Sequence, residues 1–125
     1  MIDPIQHMEK AQRSLQSGHL LLANGFHDEA GRSAYLAAFH AAQAFTVRRT
    51  GKEPKTHSGL RSEFARLARD EPRIERRYVA FLARAFELKT WADYGGDDPV
   101  SQDEAADALA VAAEVVQAIK SVLQD

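Results

Sequence analysis

The chain has 125 residues, enough for one domain with a single core, and its 45% hydrophobic content is that of a globular protein. It has no cysteine, which excludes a disulfide framework and a thiolate metal site. The net charge of -2 conceals an asymmetry: residues 48–90 carry twelve Lys/Arg against six Asp/Glu, whereas residues 91–125 carry one Lys against eight. Two such segments are expected to attract each other across a solvated bundle, and the alternative is a basic face for a nucleotide or RNA.

In chain order, Asp3-Pro4 has the form of an N-cap followed by the first helical residue. Ile5, Met8, Ala11, Leu15 and Leu22 then recur at helical spacing, until Asn24-Gly25 stops the helix. His19 lies near this stripe and is expected to be a packed or interfacial residue. A second helix is predicted from near Asp28, whose charge suits a helix N-terminus, to about Arg49, with Gly51 closing it. Its middle is rich in alanine, the best helix former. Ala34, Ala37, Ala38, Ala41, Ala42 and Ala44 share one side with Phe45, and Tyr35, Leu36, Phe39 and Val47 occupy the other. A helix apolar nearly all round is a buried one, so this is the expected centre of the fold. Arg32, His40 and Gln43 intrude on it, and such groups cannot go under cover without partners.

Pro54 disfavours helix at Glu53, and Thr56 or Ser58 is placed to cap a third helix carrying Leu60, Phe64 and Leu67. Lys55, Thr56, His57 and Ser58 at that helix N-terminus make a possible anion site, because free N–H groups and the helix dipole point there. After the break at Asp70-Glu71-Pro72, a fourth helix is expected from roughly Ile74 to Asp93. Tyr78, Leu82, Ala85 and Phe86 lie on one face of it, continued by Lys89 and Asp93. Ser101-Gln102-Asp103-Glu104 is a capping box that opens a last helix carrying Leu109, Ala112, Val116, Ile119 and Leu123. The pattern predicts an all-α, antiparallel up-and-down bundle of four to five helices forming a single domain over 1–125.

The chain contains no phosphate loop, dinucleotide fingerprint, HExxH motif or nucleophile elbow. Its five histidines, His7, His19, His27, His40 and His57, are scattered, so no metal and no cofactor are expected. Met1-Ile2-Asp3-Pro4 lacks the basic start of a signal peptide, and no apolar run approaches the ~20 residues of a membrane span; a cytoplasmic location is expected.

Three stretches together resemble a known family. Arg32-Ser33-Ala34-Tyr35-Leu36-Ala37-Ala38-Phe39-His40-Ala41-Ala42 resembles the "SRxYYxxFHAA" helix of small stand-alone HEPN-domain proteins. Pro54-Lys55-Thr56-His57-Ser58-Gly59 is similar to their "PKTHSG" loop, and Ala92-Asp93-Tyr94-Gly95 to their "ADYG" segment. The resemblance implies a helical bundle that dimerises and works beside a small nucleotidyltransferase, in toxin–antitoxin or related defence systems. Its ribonuclease branch carries an Arg-x(4–6)-His motif on a late helix. No histidine follows His57 here, so that motif is absent, and Arg13-x5-His19 has the spacing in the wrong helix. Lys89 stands where relatives carry an arginine; it keeps the charge but loses the planar fork that grips phosphate at two points.

The leading expectation is a non-catalytic module binding a nucleotide, a partner nucleotidyltransferase, or both. Its candidate site gathers Arg32 and His40 from the second helix, Lys55, Thr56 and His57 from the loop, and Lys89, Asp93 and Tyr94 from the fourth helix. Arg32, Lys55 and Lys89 would hold phosphate, Thr56 and His57 would add donors, and Tyr94 would stack or pack. The alternatives are a divergent ribonuclease toxin using His40 or His57 as general base, and a purely structural homodimeric bundle. In that bundle Asp93 pairs with Arg32 or His40 in a buried ion network. A homodimer whose contact includes the second or fourth helix is expected, because one bundle cannot readily cover every apolar side of the central helix.

Overall fold

The computed structural model describes the backbone of residues 3–94 and 100–125, and the side chains of 3–86 and 100–125. The elements are α1 (Pro4–Ala23), α2 (His27–Thr50), α3 (His57–Ala68), α4 (Arg76–Tyr94) and α5 (Gln102–Leu123). They form an all-α bundle with no strand among the described residues. No helix among them is long and apolar enough to cross a membrane.

The helix ends follow from local chemistry. The Asp3 carboxylate accepts the Gln6 amide at 2.9 Å and the Gln6 side chain accepts the Asp3 amide at 3.0 Å, a reciprocal cap with Pro4 behind it. The chain leaves α1 through Gly25 at φ 84°, a left-handed conformation that glycine adopts without a Cβ penalty. Ser101 and Glu104 repeat the reciprocal cap at the start of α5. Asp28, in the first turn of α2, accepts the Val100 amide at 2.7 Å and ties the approach to α5 onto the opposite end of the sequence.

Helix α2 is the centre, with α1, α3, α4 and α5 all packed against it. Ala34, Ala37, Ala38, Ala41, Ala42, Ala44, Tyr35 and Phe45 are fully buried in the single chain. These sides of α2 are covered within the single chain, while Leu36 and Phe39 stay half-buried. The large apolar side chains left exposed among the described residues are Ile5, Leu20 and Phe26, on or next to α1.

Several expectations change in detail. Ile5 faces solvent while His7 turns inward, because the buried face of α1 runs through His7, Ala11 and Gly18. His19 is exposed, not packed. Helix α4 begins at Arg76, and Ile74 is buried in the turn before it, where its amide donates to the Glu71 carbonyl at 3.0 Å.

The opposed charge segments do meet: Arg77 on α4 contacts Glu114 on α5 at 2.5 Å, and Arg73 pairs with Asp125. These pairs are exposed and contribute little. The buried carboxylate of Glu71 is different. It accepts from the Arg73 amide and guanidinium and from Arg49 at 3.2 Å, and the Arg73 hydrogen bonds hold it down at about 2. It clamps the end of α2 to the turn between α3 and α4.

Candidate functional site

At 3.6 residues per turn, Arg32, Leu36, Phe39, His40 and Gln43 fall within about 100° of arc on α2. This arc is the open side of an otherwise enclosed helix: Arg32 is exposed and the other four are half-buried. Arg32 lies at the surface end of the stripe.

The start of α3 crosses this stripe. Thr56 is the N-cap, its hydroxyl oxygen accepting the Gly59 amide at 2.8 Å. A Cβ at Gly59 would stand 2.9 Å from that oxygen, so the close approach needs a glycine. The cap uses Thr56 only as an acceptor, so its hydroxyl proton stays available for donation.

His57 follows in the first turn, and its Nδ1 lies 2.5 Å from the Tyr35 hydroxyl. Its ring stacks on Phe39 with centroids 4.4 Å apart and meets Phe86 at 5.7 Å. One turn further on, Arg61 sits over the Phe86 ring, 4.6 Å from its centroid. His57 and Arg61 are thus presented side by side at i, i+4.

The electrostatics follow from burial. Desolvation pushes the Tyr35 phenol up to about 12, against the opposing pull of the neighbouring Arg61 cation. At neutral pH the phenol keeps its proton. Arg61 can only donate, so the phenol proton is directed to His57 Nδ1. A neutral His57 therefore carries its own proton on Nε2.

His40 is held below its ordinary value, first by burial and further by the charges of Lys10, His7 and His57. Its Nδ1 makes a long contact of 3.4 Å with Gln43 Oε1. His7 is 2% exposed, and its Nε2 lies 2.6 Å from Glu53 Oε1, which joins α1 to the loop before α3.

Of the sequence-derived candidates, the structure brings His40, Thr56 and His57 to one place, with Lys55 exposed on the adjoining loop and Arg32 further along the stripe. The side chains of Lys89, Asp93 and Tyr94 lie outside the described residues, and with them the proposed Asp93 tie. Sequence reasoning missed Arg61, His7 and the roles of Tyr35, Phe39 and Phe86. The i, i+4 pairs Tyr35/Phe39 and His57/Arg61 were the available signal, but aromatic pairs at that spacing are ordinary core.

Tyr35 gives a spectroscopic check. Its folded value lies above the ordinary 10.0, so the protonated phenol's contribution to stability is complete below that pH and is lost as pH rises toward about 12. Phenolate absorbance is expected to show a late step near pH 12 that is missing in Tyr35→Phe. A wild-type curve finished by pH 11 would contradict the burial.

The arrangement defines a small all-α domain with a basic, aromatic patch where a short third helix crosses the open side of its central helix. The HEPN-domain family model matches residues 6–122, and the chain belongs to the HEPN-domain family. It is similar to the protein named "Putative toxin MJ0605" of Methanocaldococcus jannaschii, 30% identical over 94% of this chain and 87% of that protein. It is also similar to a UPF0332 protein of Archaeoglobus fulgidus, 31% identical over 93% of this chain and 91% of the relative.

Proposed function

We propose that the chain is a non-catalytic HEPN module that binds a nucleotide on the open stripe of α2 and acts with a nucleotidyltransferase partner in a toxin–antitoxin type of system. The setting is supported by family membership and by the relative named as a toxin. The observation that carries the non-catalytic part is the Tyr35–His57 hydrogen bond of 2.5 Å. A general base needs a lone pair within reach of the proton it removes. In His57, Nδ1 is taken by the phenol and Nε2 carries the ring proton, so the most central histidine of the patch is arranged to donate. Donors beside an aromatic surface suit a phosphate-bearing nucleotide.

The rival, a ribonuclease, would take His40 as its base, since burial keeps it neutral near pH 7; against it stands the absence of the late Arg-x(4–6)-His motif. Calorimetry with a panel of nucleotides and nucleosides is expected to show binding of the phosphorylated forms only, and the purified protein is expected to leave RNA intact. RNA cleavage abolished by His40→Ala or His57→Ala, with the fold preserved, would overturn the reading.

A further inference from the structure

Helix α3 has a tied carboxylate on either side of it, and the two ties are unequal. Glu71, just past the end of the helix, is 7% exposed. It accepts from the Arg73 amide, from Arg73 Nε and Nη2, and from Arg49 Nη2 on α2. Glu53, just before the helix, has a single contact, to His7 Nε2 at 2.6 Å, and its side chain is 32% exposed. Water competes for a carboxylate held by one group at the surface far more than for one held by several donors under cover. The Glu53 end is therefore the one that releases first.

That weaker tie is nonetheless built into the core. His7 is 2% exposed, on the face of α1 that otherwise buries Ala11 and Gly18. Its Nδ1 is buried with no hydrogen-bond partner among the described residues, a cost that an apolar side chain there would not carry. Helix α1 packs on α2 and α5 but does not reach α3. The other hydrogen bonds of residues 51–56 are local: the Gly51 amide to Val47, the Lys52 amide to Thr50, and the Gly59 and Leu60 amides to Thr56. Among the described residues, the His7–Glu53 contact is thus the one polar tie from this segment to a distant part of the fold.

Beneath the first turn of α3 lies the stripe of α2, where His57 covers Tyr35 and Phe39. Further along, Phe64 seats on Phe45, and the Ala68 carbonyl accepts the Glu71 amide at 3.1 Å. Lifting residues 57–60 unseats Leu60 and leaves the buried Phe64 and Ala68 in place. We propose that α3 is a lid, hinged at Glu71 and latched by the His7–Glu53 contact. Unlatched, its first turn swings off Tyr35 and Phe39 and lengthens the open stripe of α2. This movement does not depend on what the stripe binds.

Hydrogen–deuterium exchange of the intact chain tests it in wild type, Glu53→Ala, His7→Leu, the double variant and Glu9→Ala, an exposed control on α1. Glu53 lies on a loop, so Glu53→Ala decides the question even where the buried His7→Leu fails to fold. Amides of residues 60–64 are expected to exchange on the order of tenfold faster or more in either single variant, and no faster in the double one. The amides of α1, α5, Glu71 and Ile74 are expected to keep their wild-type rates, and Glu9→Ala to match the wild type throughout. Unchanged exchange over residues 60–64 in Glu53→Ala, or an additive double variant, would overturn the latch. Acceleration as large at Glu71 and Ile74 would overturn the hinge, and acceleration shared by α1 and α5 would overturn the lid as a separate unit.

Discussion

Phe64→Ala is expected to destabilise the protein by about 3–5 kcal/mol, the range for removing a fully buried phenylalanine. Phe64 is 0% exposed and meets Phe45 of α2 edge to face, with centroids 5.9 Å apart and planes at 88°. Its helix has 12 residues, a length at which isolated helices are marginal in water, so α3 depends on its docking. Leu60, Phe64 and Ala68 are the residues that α3 buries. Removing the largest of them both opens a cavity and loosens the element that presents His57 and Arg61. A denaturant midpoint that falls by this amount, together with loss of the late tyrosine titration step, is the expected result. A cost below ~1 kcal/mol would mean that α3 is held by something other than this contact.

Gly18→Ala is expected to be destabilising although it replaces glycine by the best helix former. Gly18 is buried in the middle of α1, at its crossing with α2 and α5. An added Cβ would stand 2.5 Å from Leu109 Cδ2 and 3.2 Å from Ser33 Cβ. Leu109 is 1% exposed, so its methyl has little room to retreat, and Ser33 Cβ is fixed to the backbone of α2. Overpacking of this kind costs ~1–3 kcal/mol, against a gain of ~0.5–1 kcal/mol from helix propensity. The net loss of about 1–2 kcal/mol is measurable by thermal or urea denaturation. A gain in stability would show that α1 can shift outward without cost, and that its close approach is not a packing requirement.

These two residues mark the difference between local and tertiary information. Helix ends were legible because their chemistry is local. Asp3-Pro4, Thr56 and Ser101 act within three residues of themselves, and each caps where its sequence context suggests. The central place of α2 was legible as well, since a run of alanines and aromatics with little polar surface has nowhere to go but inside. Gly18 could not be read in this way. Its role depends on Leu109 and Ser33, which no periodicity in α1 reports.

The same holds for the site. The sequence marked His40 and His57 as polar groups beside apolar ones, and it offered Thr56 both as a cap and as a ligand donor, of which the structure shows the cap. It left Arg32 between a buried ion network and a solvent-facing site, and the stripe containing it is the side of α2 left open. Arg61 looked like any surface arginine on a short amphipathic helix. Only its position over Phe86, beside a phenol that burial keeps protonated, sets it apart.

By itself, then, the sequence determined the all-α class, the caps and the family, because periodicity, capping and motif order are properties of neighbours along the chain. The tertiary structure decided which face of α2 stays open, which histidine meets the buried phenol and which arginine sits over Phe86. Those depend on desolvation and on distances between groups remote in sequence, such as Tyr35 and His57 at 2.5 Å, and burial sets their charge states only once the helices have packed.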